Sequence, residues 1–94
     1  NIFNQSERIT VNILNKKQQL ISSNFAKKNP DWKNIEYDLL KNGNPIIKNC
    51  VSNLDCKIID KIKKGDHIIF ICKVLNVVNN DKLKPLIYYN SKYF

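Results

Sequence analysis

Three groups of residues hold whatever chemistry this chain can offer. The first is Asp66-His67, which contains the single histidine, the side-chain type that exchanges a proton near neutral pH. A histidine just after a turn, at the start of a strand, is also an ordinary structural residue. The second group is Tyr88, Tyr89, Tyr93 and Phe94, gathered behind Pro85. Terminal aromatics of this kind either cap a core or stack on a planar ring. The third is Cys50, Cys56 and Cys72, which with His67 would total a Cys3His zinc set. Cys50 and Cys56 read as members of one strand, about 20 Å apart at ~3.3 Å per residue, too far to share a metal. The cysteines therefore read as small buried hydrophobes, and no metal is expected. No Ser–His–Asp spacing and no placed carboxylate pair is present, so acid–base and nucleophilic machinery is scarce.

The rest of the composition narrows the field. Ninety-four residues and 11.0 kDa make a single domain, 1–94, and 43% apolar content suffices for a core. Two glycines, Gly43 and Gly65, are too few for a P-loop or a dinucleotide fingerprint. The longest apolar run, Ile68 to Cys72, is far below the ~20 residues of a membrane span, so a soluble cytoplasmic protein is expected. The net charge of +8 invites a nucleic-acid reading. However, fifteen of the sixteen basic residues are lysine and only Arg8 is arginine, whereas readers of phosphates and base edges favour the arginine fork. Asn, Lys and Ile together supply 44 residues, the mark of AT-rich codons rather than of a DNA-binding face. The chain opens on Asn1 and contains no methionine, the expectation for a fragment or processed product.

These residues need elements to position them. Ile9, Val11 and Ile13 alternate with Thr10, Asn12 and Leu14, predicting a strand with one apolar face. Asn15 with Gln18 has the form of a capping box, followed by a short helix with Leu14, Leu20, Ile21 and Phe25 as its buried stripe, ending near Lys27 and Lys28 before Asn29-Pro30. Residues 30–45 are the least regular, a helical turn or ordered loop, closing on the turn Lys41 to Pro45. Cys50 to Ile62 then reads as a half-buried strand, interrupted by a bulge. Lys63-Lys64-Gly65-Asp66 forms a hairpin turn, and His67 to Val78 a strand apolar on both faces, suited to a barrel centre or a subunit interface. Leu86 to Tyr89 is a last strand. The order is α+β, mainly β: a small barrel with one short inserted helix.

Read in order, these pieces resemble a known family. Val11-Asn12-Ile13-Leu14, Gln18 or Gln19, Phe25-Ala26, Gly43-x-Pro45, Leu54-x-Cys56, Gly65-Asp66-His67 and Pro85-Leu86-Ile87-Tyr88-Tyr89 with Tyr93 match its stretches across nearly the whole chain. The family is the flavin reductases, NAD(P)H:FMN oxidoreductases with a split-barrel FMN-binding fold. The resemblance implies a split β-barrel whose N-terminal strands lie before Asn1, so that 1–94 would be the C-terminal part of such a domain. It implies FMN, with FAD as the other flavin, and NADH or NADPH as hydride donor. It further implies a homodimer and, as partner, a monooxygenase component supplied with reduced flavin. Carried over residue by residue, His67 stands by the nicotinamide. Phe25, Ala26, Lys27 and Lys28 approach the flavin, and Tyr89 and Tyr93 lie beside its ring. The sequence departs from the family at Cys72, where relatives carry glycine. Two other readings stay open: a degenerate split barrel that binds flavin without catalysis, and a small basic barrel for single-stranded nucleic acid. The second would need lysines and aromatics interleaved on one strand face, and the strand from His67 to Val78 holds only Lys73.

Overall fold

A computed structural model describes residues 7–94. Its elements run β1 (Arg8–Ile13), α1 (Gln19–Phe25), β2 (Tyr37–Leu39), β3 (Pro45–Ile47), β4 (Ser52–Lys64), β5 (His67–Asn79), β6 (Tyr88–Tyr89) and β7 (Lys92–Tyr93). The β-branched runs expected as strands are strands, and the fold is mainly β with one helix. β1, β4 and β5 form an antiparallel sheet with β4 in the middle, while β2–β3 and β6–β7 are separate two-stranded hairpins.

Several boundaries differ from those expected, each for a local reason. The Asn15–Gln18 box closes a turn rather than a helix: Gln18 Oε1 accepts from the Asn15 backbone, and Asn15 Oδ1 accepts from the Lys17 backbone. The helix therefore begins at Gln19, and it buries no residue; Leu20, assigned to its core stripe, is 84% exposed. The irregular stretch 30–45 contributes β2, paired Tyr37↔Ile47 with β3 around the turn holding Gly43 at φ +88°. That pairing makes Pro45–Ile47 a strand of its own, ahead of the long one. Asn49, at φ 64°, then turns the chain, so Cys50 lies outside β4, and the one-strand argument separating it from Cys56 fails. The β4–β5 turn is Gly65-Asp66, with Gly65 at φ +59° in the position that only glycine fills cheaply.

The expected bulge exists and reverses the face pattern. Register shifts fall between Asp55 and Cys56 and between Ile58 and Asp60. Beyond the second shift Ile62 lies on the opposite face from Cys56 and Ile58, since one extra residue inverts every later side chain. The strand from His67 to Val78 proves to be an edge strand, not a central one, and most of both its faces is exposed.

Burial concentrates on β4 and is half polar. Cys56, Ile58, Ile47 and Cys50 are buried, and so are Ser52, Asn53, Asp55 and Asn15. The β1 side chains Val11 and Ile13, expected to face a core, are both exposed. The surface totals 7647 Å², against about 5,600 Å² for a compact monomer of this mass. The radius of gyration of 14.4 Å likewise exceeds the ~12 Å expected for the length. Exposed apolar side chains of the three-stranded sheet, among them Val11, Ile13, Ile69 and Val78, contribute to that surplus.

Arg8 Nη2 donates to Asp55 Oδ2 at 2.6 Å, and Asn76 reaches the same oxygen from β5. The guanidinium holds the Asp55 carboxyl below the usual aspartate range. A lowered folded pKa stabilises fully above the unfolded value near 4, and that contribution disappears as pH falls through the folded value. Thermal melts should therefore be level from about pH 7 to about pH 5 and fall below about pH 4. Asp55→Asn should lower stability by about 2 kcal/mol near neutrality, less than for a fully buried pair because Arg8 is part-exposed, and should flatten the acid slope. An unchanged acid slope in the variant would assign the pH dependence elsewhere.

Candidate functional site

The C-terminal end of α1 forms one wall of the largest described cavity, about 530 Å³, bounded by Leu14, Ser22, Phe25, Ala26, Trp32 and Ile47 among others. Its rings are ordered by one another. Phe25 meets Trp32 edge to face at 5.0 Å between centroids, and Trp32 meets Tyr37 at 4.7 Å. Such tilted contacts fix ring planes, because each ring's electron-poor edge approaches its neighbour's electron-rich face. The helix is held by the C-terminal hairpin. The hydroxyls of Ser22 and Tyr93 hydrogen-bond at 2.9 Å, and Tyr93 packs against its cross-strand partner Tyr88 at 4.9 Å. The β6–β7 turn is made by Asn90 and Ser91, both at positive φ, which sets the register that brings Tyr93 to the helix.

Of the residues singled out from the sequence, Phe25, Ala26 and Tyr93 are therefore brought together around α1. Lys27 follows on the exposed side and borders a neighbouring cavity of about 350 Å³ with Asn24, Asp31 and Lys33; Lys28 is exposed beside it. Tyr89 pairs with Lys92, on the other face of the hairpin from Tyr93, and is 70% exposed. His67 stands apart at the tip of the β4–β5 hairpin. Its side chain is 83% exposed, with Nε2 3.4 Å from Asp66 Oδ1. From Asn53, which bonds to Asn12 behind the cavity, to Lys64 opposite His67 lies on the order of 30 Å of strand.

The sequence reading did not single out Ser22 or Trp32. Two signals were present: a serine three residues before Phe25 shares its helix face, and Trp32 is the only indole. Cys50 and Cys56 are poor nucleophiles. Burial pushes the Cys50 thiol up, against a bond from Asn53, and burial likewise raises Cys56. Among the described residues no three His, Cys, Asp or Glu side chains converge as a metal site, and no helix is long and apolar enough to cross a membrane.

Comparison with known proteins bears on the whole chain. Residues 1–94 match the family model described as "Flavin reductase like domain". The chain is 30% identical over 95 residues to an FMN reductase (NADH) RutF of Serratia proteamaculans, covering 98% of this chain and 54% of that protein. It is 33% identical over 91 residues to HsaB of Mycobacterium tuberculosis, the reductase subunit of a flavin-dependent monooxygenase, covering 94% and 49%. The crystal structure of a nitrilotriacetate monooxygenase component B homologue from Mycobacterium thermoresistibile superposes with a TM-score of 0.87 at 33% identity, covering 98% of this chain and 53% of that one. The chain thus spans about half the length of the relatives it matches.

If the Ser22–Tyr93 bond anchors the hairpin to α1, Tyr93→Phe and Ser22→Ala should each cost about 1 kcal/mol in chemical denaturation. The double variant should cost no more than either alone. Additive losses in that cycle would show that the two hydroxyls do not act on each other.

Proposed function

The chain belongs to the flavin reductase-like family, and from that premise we propose that it is part of an FMN-dependent NAD(P)H:flavin oxidoreductase that supplies reduced flavin to a monooxygenase. The observation that carries the reading is the match over residues 1–94, and the ring-lined cavity at the end of α1 supports it. A cavity of about 530 Å³ falls within the size range of cofactor sites, and its mixed aromatic, aliphatic and hydroxyl lining suits a planar heterocycle. Flavin, when bound, supplies the hydride-accepting chemistry, with NADH or NADPH as donor.

The chain's own residues then have binding and shielding tasks, which is why the absence of a catalytic dyad is no objection. Phe25 and Trp32 present ring edges and faces to a planar ligand. Ala26, with no more than a methyl group, leaves room for close approach. Lys27 and Lys28 supply positive charge for the flavin phosphate by simple attraction. Tyr93 holds the Ser22 side of the cavity wall from the C-terminal hairpin, and we assign Tyr89, on the outer face of that hairpin, to the flavin side as well. We assign His67 to the nicotinamide side. Because His67 lies far along the hairpin from α1 within one chain, this assignment places the site across a homodimer interface. The exposed apolar side chains of β5, among them Ile68, Val77 and Val78, support the dimer, since an interface would cover them. Residues 1–94 are read here as the C-terminal part of a split-barrel domain, acting in the cytoplasm.

Trp32 is the only indole and sits in the cavity wall, so its fluorescence reports occupancy directly. Titration with FMN, then FAD, should quench it saturably, and addition of NAD(P)H should be followed by nicotinamide oxidation. Saturable quenching without oxidation would leave a flavin-binding protein with no reductase activity. Absence of saturation with either flavin would remove the reading for this chain. In the active protein His67→Ala should lower nicotinamide-dependent turnover about tenfold or more while leaving flavin affinity within about twofold. A variant that turns over at the parental rate would make His67 structural.

A further inference from the structure

Two segments far apart in sequence meet behind the cavity of the proposed flavin site. Asn15 bridges to Pro85, the Lys16 backbone N–H donates to Lys84 O at 2.8 Å, and the Leu86 N–H donates to Leu14 O at 2.9 Å. Each segment is also braced from within. Asn15 Oδ1 accepts from the Lys17 backbone at 2.6 Å and Asn80 Oδ1 from the Lys82 backbone at 3.1 Å, while Asn15 Nδ2 bonds to Asn49 O. The result is a cavity of about 290 Å³ bordered by Lys16, Lys17, Lys82 and Lys84, with Leu83 and buried Asn15 as its floor.

Four exposed lysines thereby border one concavity, and no carboxylate among the described residues is ion-paired with any of them. Lysine abundance alone does not account for this. The other described cavities bordered by lysine all have a carboxylate in the wall: Asp31 beside Lys27 and Lys33, Asp55 beside Lys41, and Glu7 with Asp60 beside Lys61. Only the Lys16–Lys84 cavity combines several cations with no acid. Like charges held together raise the free energy of the folded chain until an anion enters. The backbone N–H groups of Lys16, Lys17 and Lys82 are already engaged, so the attraction must come from the flexible ammonium heads. Four lysine side chains bordering a space of this size can turn their flexible heads toward a compact, multiply charged oxyanion, which they suit better than an extended acidic surface.

We propose that the cavity formed by Lys16, Lys17, Lys82 and Lys84 binds the phosphate groups of a phosphoester or diphosphate. The site is distinct from Lys27 and Lys28, and its test does not depend on hydride transfer. Inorganic pyrophosphate titrated calorimetrically into the 94-residue chain should bind at one site, with affinity falling at least tenfold between about 20 and about 200 mM salt. The K16Q/K84Q and K17Q/K82Q variants should each weaken it at least tenfold, while K57Q/K73Q, an exposed cross-strand pair on β4 and β5, should stay within about twofold. Because all four side chains are exposed, these variants should fold, and without anion at low salt the quadruple Lys→Gln variant should melt above the parent. Competition identifies the natural source of phosphate. Displacement by FMN but not riboflavin points to the flavin phosphate, displacement by NADH to the dinucleotide diphosphate, and displacement by neither to a free oxyanion. Absence of pyrophosphate binding, or equal binding by the quadruple variant, overturns the proposal.

Discussion

The hydrogen bonds between Asn12 and Asn53 bind β1, β3 and β4 into one unit. Asn12 Oδ1 accepts from Asn53 Nδ2 at 2.6 Å and from the Ile47 backbone at 3.2 Å, and Asn53 Nδ2 also reaches Ile47 O. A buried amide left unpaired costs more than a made bond returns, so these groups must find one another for the strands to pack at all. A purely apolar contact would tolerate sliding of β3 across the sheet. The paired amides tolerate one register only. That is why β4 can bury Ser52, Asn53 and Asp55 and still be the centre of the structure.

From that unit the position of α1 follows. Asn15, at the end of β1, bonds to Asn49 O, and Gln18 Nε2 reaches Lys48 O at 2.8 Å. The helix is therefore attached through the side chains that precede it and through Tyr93 at its middle, rather than through an apolar stripe of its own. Seven residues are too few for autonomous helix stability, so α1 and the cavity at its end depend on these outside contacts. The same corner, reached from the other side by residues 82–86, produces the lysine-ringed cavity. One set of polar anchors thus shapes both concavities of this end of the molecule.

Much of this was legible in the residues, and the exceptions share a cause. The β-branched runs around Ile9–Ile13 and Ile68–Ile71 and the Gly65 turn carry strong local signals, and the strands and hairpin formed where expected. The Asn15–Gln18 pair also carried a correct signal, a side chain returning to its own backbone, but local pattern does not distinguish a capping box from a tight turn. β2 and β3 were missed because three-residue strands have no periodicity to read. The exposure of Val11, Ile13 and most of β5 was illegible for a different reason: alternation tells which residues share a face, not whether anything covers it. In the candidate site, Phe25, Ala26 and Tyr93 converge, whereas Ser22 and Trp32 became recognisable only once the helix and hairpin were in contact.

Composition and arrangement also separate in the charges. A bias towards lysine explains why the chain carries fifteen of them, yet it cannot explain where folding collects four without an acid. The same bias makes the single arginine informative. Arg8 sits where a planar guanidinium reaches a buried carboxylate that Asn76 also approaches, a place where a lysine ammonium would satisfy fewer directions at once. Hydride transfer between two cofactors asks little of acid–base residues and much of ring placement and local charge. Among the described residues this end of the chain offers a ring-lined cavity and two separate groups of lysines, features that orient planar groups and attract anions rather than make bonds.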